Sequence, residues 1–283
     1  MNETEIARQG VLGKKANFSE TLNPSHLFPI PRKEKRDEIN YNASLFSGED
    51  VWTCYELSWL DASGKPHIGV ITLSYSSTSE FIIESKSLKL YLNSFNFTSF
   101  NSFEEVRRQI ETDLSTALKS KVNVLSCTDK KAVSYTFDPS FICVDSIEST
   151  GFSYDYSPSC LDVKKSLGTQ YLYSNLLRSN CLVTNQPDWG TVFIAVKNAQ
   201  IVPESFLKYI VSFRNHREFH EQCVERIAMD LYQLTGENVT VLARYTRRGG
   251  IDINPFRYNG EPDPLLFSLP KNSKQLNTKE QRQ

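Results

Sequence analysis

The chain has 283 residues and a mass of 32.4 kDa, with 39% hydrophobic and 23% charged residues, a composition that supports a sizeable core and excludes wholesale disorder. Its 32 Lys and Arg against 33 Asp and Glu leave a formal charge of −1, too small to coat nucleic acid or a membrane by bulk electrostatics. No apolar run reaches bilayer length and MNETEIARQGVLGKK lacks the basic-then-apolar order of a secretory signal, so a cytoplasmic protein is expected. Six cysteines, at 54, 127, 143, 160, 181 and 223, are widely spaced with no CxxC pair, which suits reduced thiols better than a disulfide framework. The four histidines, at 26, 67, 216 and 220, have no close cysteine pair to join, so no metal site is expected.

Residues 1–48 contain NPSHLFPIPRKEKR, where prolines interrupt any periodicity and predict an arm or a surface connection. Arg32, Lys33, Lys35 and Arg36 read as a solvated face. From Val51 the aromatic and β-forming VWTCYELSWL, the polar loop DASGKPH and IGVITLSY predict a hairpin. ESKSLKLYLNSF, 84–95, places Leu88, Tyr91, Leu92 and Phe95 on one helical face, with Glu84 or Ser85 at its opening. FEEVRRQIETDLSTALK, 103–119, is the clearest helix, its Phe103, Val106, Ile110, Leu114 and Leu118 recurring at helical spacing behind an acidic first turn. KVNVLSC returns to strand, and SYTFDPSFICVD is a further candidate strand that would close a first unit over 49–145.

A Ser-, Asp-, Pro- and Gly-rich stretch, 146–168, predicts a connection. A second unit, 169–262, then reads as a strand over Tyr171 to Arg178, the turn NCLVTNQPDWG, and a strand at TVFIAV. Helices follow at 201–213 and 218–234, then strands at VTVLARYT and IDINPF. The last stretch, 263–283, reads as a polar tail.

The halves echo one another. Glu84-Ser85, Leu88-Lys89 and Ser94-Phe95 answer Glu204-Ser205, Leu207-Lys208 and Ser212-Phe213, while Ile110 and Asp113-Leu114 answer Ile227 and Asp230-Leu231. Duplication of a whole unit explains this. The expectation is an α+β fold in which each unit lays two helices on one face of an antiparallel sheet, with a dimer to bury what that leaves exposed.

Four places invite chemistry. In NCLVTNQPDWG, Cys181 is a candidate nucleophile and Asp188 a proton-transfer partner in a turn shaped by Asn185, Pro187 and Gly190, although a lone cysteine is also a common small core residue. His220 lies at the margin of the apolar face of its helix, where it reads either as a proton-transfer group or as an ordinary surface histidine. Glu221 beside it suits a pair of N–H donors on a purine-like edge, or solvent. Glu84, Ser85 and Lys86 stand at a helix start, where free N–H groups accept anions. Arg244, Arg247 and Arg248 precede Gly249-Gly250, joining cations to unhindered backbone. Neither GxGxxG nor GxxxxGK[ST] occurs, which argues against a Rossmann or P-loop domain.

Taken together, ESKSLKLYLNSFN, SNCLVTNQPDWG, FHEQCVERI and ARYTRRGGIDINP resemble the two-unit form of the NADPH-dependent 7-cyano-7-deazaguanine reductases, the QueF family, across most of residues 50–260. ESKSLKLY separates these reductases from their relative GTP cyclohydrolase I. The resemblance implies two tandem tunnelling-fold units, a homodimer, and reduction of a nitrile to a primary amine with two NADPH in queuosine biosynthesis. It implies that Cys181 adds to the nitrile carbon to form a thioimide and that Asp188 gives a proton to the nitrile nitrogen. His220 would transfer protons or orient the intermediate. Ile83, Glu84, Ser85, His220 and Glu221 would contact the deazaguanine, and Ser85, Lys86, Arg247, Arg248, Gly249 and Gly250 would contact NADPH. The ESKSLKLY motif and the cysteine are expected to meet across a unit or subunit boundary. A cyclohydrolase-like enzyme, a nitrile hydrolase passing through the same thioimide, and a non-catalytic purine-binding protein are the alternatives; each lacks support in the residues, the first a metal cluster, the second a water-activating group, the third any reason for this set of reactive side chains.

Overall fold

The computed structural model describes Glu5, residues 21–126 and residues 138–271. The chain divides into two compact units, one drawn from Met1–Asp37, Glu49–Lys130 and Arg247–Ile253, the other from Glu38–Gly48, Lys131–Thr246 and Asn254–Gln283. Both mix antiparallel strands with helices, so the α+β class holds.

In the first unit the elements run β1 (Pro29–Pro31), α1 (Lys33–Glu38), β2 (Phe46–Leu60), β3 (Pro66–Ser76), β4 (Phe81–Ile83), α2 (Ser85–Asn93), α3 (Phe103–Leu118) and β5 (Val122–Ser126). β2 and β3 form the expected hairpin, paired from Glu49↔Ser76 to Leu60↔Pro66, and β5 adds to β3. Its loop is tied by Asp61, whose Oδ1 accepts the N–H groups of Ser63 at 2.8 Å and Lys65 at 3.0 Å. α3 is capped by Ser102, whose Oγ accepts the Glu105 N–H, and Val106, Ile110, Leu114 and Leu118 are all buried with Leu88, Tyr91 and the sheet residues Trp52, Leu57, Ile71 and Leu73. Burial of such side chains supplies about 1.5–3 kcal/mol each relative to exposure.

The segment before residue 49 departs from the expected featureless arm. Pro29–Pro31 pairs with Phe81–Ile83, a three-residue edge strand in which proline costs few ladder bonds. Arg32 is not solvated: it is 2% exposed, ion-paired with the buried Asp50 and stacked over the Tyr75 ring at 5.9 Å. The basic cluster concealed this because the partner lies on β2. Lys33, by contrast, is exposed and pairs with Asp37 one turn on at 2.5 Å.

The second unit contains β6 (Ile142–Cys143), β7 (Val163–Asn180), β8 (Pro187–Ile201), α4 (Pro203–Ser212), α5 (His220–Thr235), β9 (Val239–Tyr245), most of β10 (Ile251–Asn259) and α6 (Pro264–Lys271). Its strands are ordered β6-β7-β8-β9-β10, antiparallel except for β6. Ile142–Cys143, expected to finish the first unit, pairs with Leu172 and Tyr173 of β7 instead. β7 starts inside the expected connection because the Gln170 amide satisfies both backbone groups of Ile201, at 2.9 and 2.8 Å, beside an irregular register. Residues 264–271, expected in the tail, form α6, whose Leu266 packs with Phe141, Phe193, Leu242 and Phe256. The rest of that tail lies outside the described residues.

The echo expected between the halves extends to hydrogen bonds. The Tyr91 hydroxyl donates to Asp113 at 2.7 Å, and Tyr209 donates to Asp230. Ser94 Oγ bonds the Tyr91 carbonyl at 2.6 Å and accepts the Asn23 N–H at 3.0 Å; Ser212 Oγ bonds the Tyr209 carbonyl at 2.7 Å and accepts the Ser157 N–H at 3.1 Å. Ser87 accepts from Phe28 as Ser205 accepts from Asp162, at 3.1 and 3.0 Å. Ser205 therefore answers Ser87 and not the expected Ser85, and Glu84 falls opposite Val202 and not Glu204. The Glu-Ser pairs look alike in sequence, but the backbone bonds set the register two residues away. Even the edge-to-face pairs match, Tyr91–Phe95 at 5.3 Å and Tyr209–Phe213 at 5.2 Å. α3 and α5 end on left-handed residues, Lys119 and Gly236.

Candidate active site

Cys181 sits at the end of the β7–β8 hairpin. The ladder pairs Ser179 with Asp188 and Asn180 with Pro187; beyond it the Cys181 N–H donates to the Gln186 carbonyl at 2.8 Å, and the Cys181 carbonyl accepts the Asn185 N–H at 3.0 Å. Asn185 supplies the left-handed residue of the turn, φ 57°, a conformation asparagine tolerates. The two-residue alternation of extended chain carries Cys181 to the face shared by Ser179 and Asp188. Both reactive side chains are nearly enclosed, each residue 8% exposed. Asn180 fastens the hairpin to the segment before α5: its N–H bonds the His216 carbonyl at 2.8 Å and its amide the Arg214 carbonyl at 3.1 Å.

α5 delivers the next groups. His220 is its first residue, and Nε2 lies 3.6 Å from Asp188 Oδ2, within ion-pairing distance. The far side of the imidazole rests on the Tyr245 ring, centroids 4.0 Å apart. Gln222 reaches back to the Phe219 N–H at 3.1 Å and closes the helix start. Glu221 is 2% exposed, which removes the plain solvated reading of this glutamate. Burial pushes the Tyr245 hydroxyl and the Cys223 thiol well up; Cys223 is thereby an inert core thiol, in the middle of its helix and fully buried, whereas Cys181 stands at the end of a hairpin. Beneath lies Glu218, 1% exposed, held by Arg226 and by His216 at 3.0 Å. Burial opposes its ionisation, but the bonds from His216 and Arg226 outweigh it and hold the carboxyl at about 2.

In the first unit Ile83 is buried at the end of β4, and Glu84 is the cap of α2. Its Oε1 accepts the Lys86 N–H and its Oε2 the Ser87 N–H, both at 2.8 Å. Burial pushes this carboxyl up despite those bonds. The Ser85 hydroxyl and Lys86 side chain are half-buried at the same helix start. Arg248 and Ile251 exchange backbone bonds at 2.9 and 3.2 Å across Gly249 and Gly250, φ 60° and 80°, a tight turn whose two central residues must have positive φ. A Cβ on Gly250 would fall 2.3 Å from the Glu56 carboxyl carbon, and Glu56 in turn pairs with Lys89 of α2 at 3.1 Å. The turn and α2 are thus neighbours. Arg247 and Arg248 are exposed, Arg247 lying 4.7 Å over the Tyr55 ring. Arg244 is separate from them, buried within β9.

A family model described as "Nitrile reductase, 7-cyano-7-deazaguanine-reductase N-term" matches residues 18–125, and one described as "QueF-like protein" matches residues 187–264. A NADPH-dependent 7-cyano-7-deazaguanine reductase of Legionella pneumophila (strain Lens) is 48% identical over 93% of this chain and 93% of its own length. Namesakes from Desulfotalea psychrophila and Hydrogenovibrio crunogenus are 46% and 43% identical over 90% and 91% of this chain, covering 94% and 95% of their own lengths. The chain belongs to the 7-cyano-7-deazaguanine reductase family.

Within this member of the reductase family, the described residues gather Cys181, Asp188, His220 and Glu221 in the second unit, and Glu84, Ser85 and Lys86 beside the Arg-Gly turn in the first. Among the described residues no three His, Cys, Asp or Glu side chains converge as metal ligands. Tyr245 and Gly190 escaped the reading of the sequence as functional positions. The only signal was Gly190 at the end of PDWG, within what becomes a strand, where a missing side chain marks a close approach.

Proposed function

We propose that this protein reduces the nitrile of 7-cyano-7-deazaguanine to the aminomethyl group through a covalent cysteine thioimide, as the names of its relatives and the hairpin chemistry together suggest. The observation that carries the reading is the enclosed Cys181–Asp188 hairpin with His220 at 3.6 Å from the carboxylate.

The Cys181 sulfur adds to the nitrile carbon while the Asp188 carboxyl gives its proton to the nitrile nitrogen, so that charge is neutralised as it develops. NADPH, when bound, supplies a hydride to the thioimide carbon and later a second to the imine released when the C–S bond breaks and the thiolate leaves. His220 returns protons through Asp188. Enclosure of both side chains keeps water from hydrolysing the thioimide. Glu221 and Ile83 to Ser85 are assigned to the deazaguanine; because both Glu84 oxygens cap α2, its part is to shape that helix start. Ser85, Lys86 and the exposed Arg247 and Arg248 at a turn without side chains fit the phosphates of NADPH in kind. The reading includes two tandem tunnelling-fold units, supported by the duplicated hydrogen bonds, and a cytoplasmic homodimer serving queuosine formation for tRNA. Exposed Leu125 on β5 and Ile142 on β6, 55% and 56% accessible, are apolar edge residues that a second copy would cover.

Purified, reduced protein is expected to oxidise two NADPH per nitrile consumed. Folded protein showing no nitrile-dependent NADPH oxidation overturns the reading.

A further inference from the structure

We propose that Tyr245 is a positioning residue for this chemistry: its ring holds the His220 imidazole against Asp188, and Gly190 is the seat that admits the ring. The inference rests on the reading of Asp188 and His220 just given, and concerns groups within the second unit alone.

Tyr245 ends β9 directly opposite Gly190 of β8. A Cβ on Gly190 would lie 3.2 Å from Tyr245 Cδ1, 3.4 Å from Cε1 and 3.2 Å from the Arg244 carbonyl oxygen. A side chain there would push the ring off the strand, toward His220. With glycine in place the ring stays 1% exposed and meets the imidazole at 4.0 Å, tilted 41°. Its hydroxyl lies among the Cys223 thiol and the Ser179 hydroxyl, and Ser179 pairs with Asp188 across the hairpin. One aromatic side chain therefore touches the strand of the proton donor, the helix of the histidine, and the histidine itself.

The physical case is one of confinement. His220 stands on the first turn of α5 with a fifth of its side chain open to solvent, and its imidazole is bounded by Asp188 from β8 and Tyr245 from β9, with Glu221 and Cys223 following on its own helix. Remove the aromatic face and the imidazole gains a free rotamer away from Asp188, where misplacement of a catalytic group by 1 Å costs about 100-fold.

The test compares Tyr245→Leu and Tyr245→Met, which fill the space without a ring, with Tyr245→Phe, which keeps the ring. Expected for Leu and Met is a kcat lowered roughly 10- to 100-fold with KM nearly unchanged and retained mass adduct on Cys181. Tyr245→Phe recovers most of the loss. Leu and Met variants with the parent kcat overturn the proposal, as does a Phe variant as impaired as Leu. In the unaltered protein the His220 ring protons are expected upfield, shielded by Tyr245; their absence from that position also overturns it, without requiring any variant to fold. If the parent oxidises no NADPH, the functional reading fails, while the ring-current measurement still judges the Tyr245 contact.

Discussion

The starts of α3 and α5 occupy equivalent places in the two units and have opposite fates. Counting back from the shared Asp113 and Asp230, Phe103-Glu104 corresponds to His220-Glu221. Glu104 lies on the surface, bound by Arg107 and Arg108, and the Arg107 bond above all holds its carboxyl down at about 2; Glu221 is buried at 2% exposure. Glu84, the cap of α2, is answered by Val202 at the head of α4, both donating their N–H to the chain that runs before the strand, at 3.0 and 2.9 Å. The hairpin loops differ likewise, Asp61-Ala-Ser-Gly-Lys65 in one and Cys181 to Gln186 in the other. Matching tyrosine–aspartate and serine–backbone bonds hold the same frame in both units. The residues proposed for chemistry stand where the units differ.

The sharpest break in this comparison is between the two hairpin ends. Cys181→Ala is expected to lower turnover by at least about 10⁴-fold, as loss of a nucleophile does, and to abolish the covalent adduct seen by intact mass, while Asp61→Ala in the equivalent loop leaves turnover within about twofold because that loop sees only local bonds. An adduct surviving in Cys181→Ala would place the nucleophile elsewhere.

Next come two of the buried glutamates, Glu84 and Glu218, each 1% exposed. Glu218 is held at about 2, below its ordinary 4.5, so its stabilisation is present above pH 4.5 and lost as pH falls through about 2. The difference, roughly 2.5 units, is worth about 3 kcal/mol. Glu84 is raised, so the sign reverses: its contribution is full below its unfolded value and is lost as pH rises through the folded one. Urea unfolding between pH 3 and 8 should show Glu218→Gln destabilised by about 3 kcal/mol at pH 7 with a flattened acid limb. Glu84→Gln should cost less there, about 1–2 kcal/mol, because one of its two accepting oxygens becomes an NH2 group. Equal losses would mean that ion pairing does not distinguish them.

The smallest effect probes the sameness of the copies. Tyr91→Phe and Tyr209→Phe each remove a hydroxyl that donates to a carboxylate having a second donor, Gln109 on Asp113 and Tyr156 on Asp230. Each is expected to cost about 1.5 kcal/mol, read by thermal unfolding. A difference greater than about 1 kcal/mol would show that one unit leans on its lock more than the other.

Helices and hairpins were legible in the sequence because their signals are local. Val106, Ile110 and Leu114 repeat within one helix, and Asn185-Gln186-Pro187 shapes its own turn. Arg32 was not, since nothing adjacent reveals that Asp50 neutralises it, and neither was the early start of β7, where a single side chain, Gln170, replaces ladder bonds. The family, and with it the residues proposed to react, were legible through four motifs taken together. Their geometry was not: Asp188 and His220 are 32 residues apart in sequence, and the contact between them depends on how α5 lies across the hairpin. Tyr245 was the hardest case, an ordinary aromatic in a β-rich run whose importance is visible only beside Gly190.

Trp189 follows Asp188 and lies between two guanidinium groups, Arg178 at 5.8 Å and Arg214 at 5.5 Å from its ring. The other tryptophans, Trp52 and Trp59, belong to the first unit. The second unit therefore carries a single indole, one residue from Asp188, the proposed proton donor, and on the hairpin that carries Cys181. With Trp52 and Trp59 replaced by phenylalanine, emission from this indole becomes an optical gauge of that hairpin, letting the arrival of a ligand at Cys181 be timed in a stopped-flow instrument without any added dye.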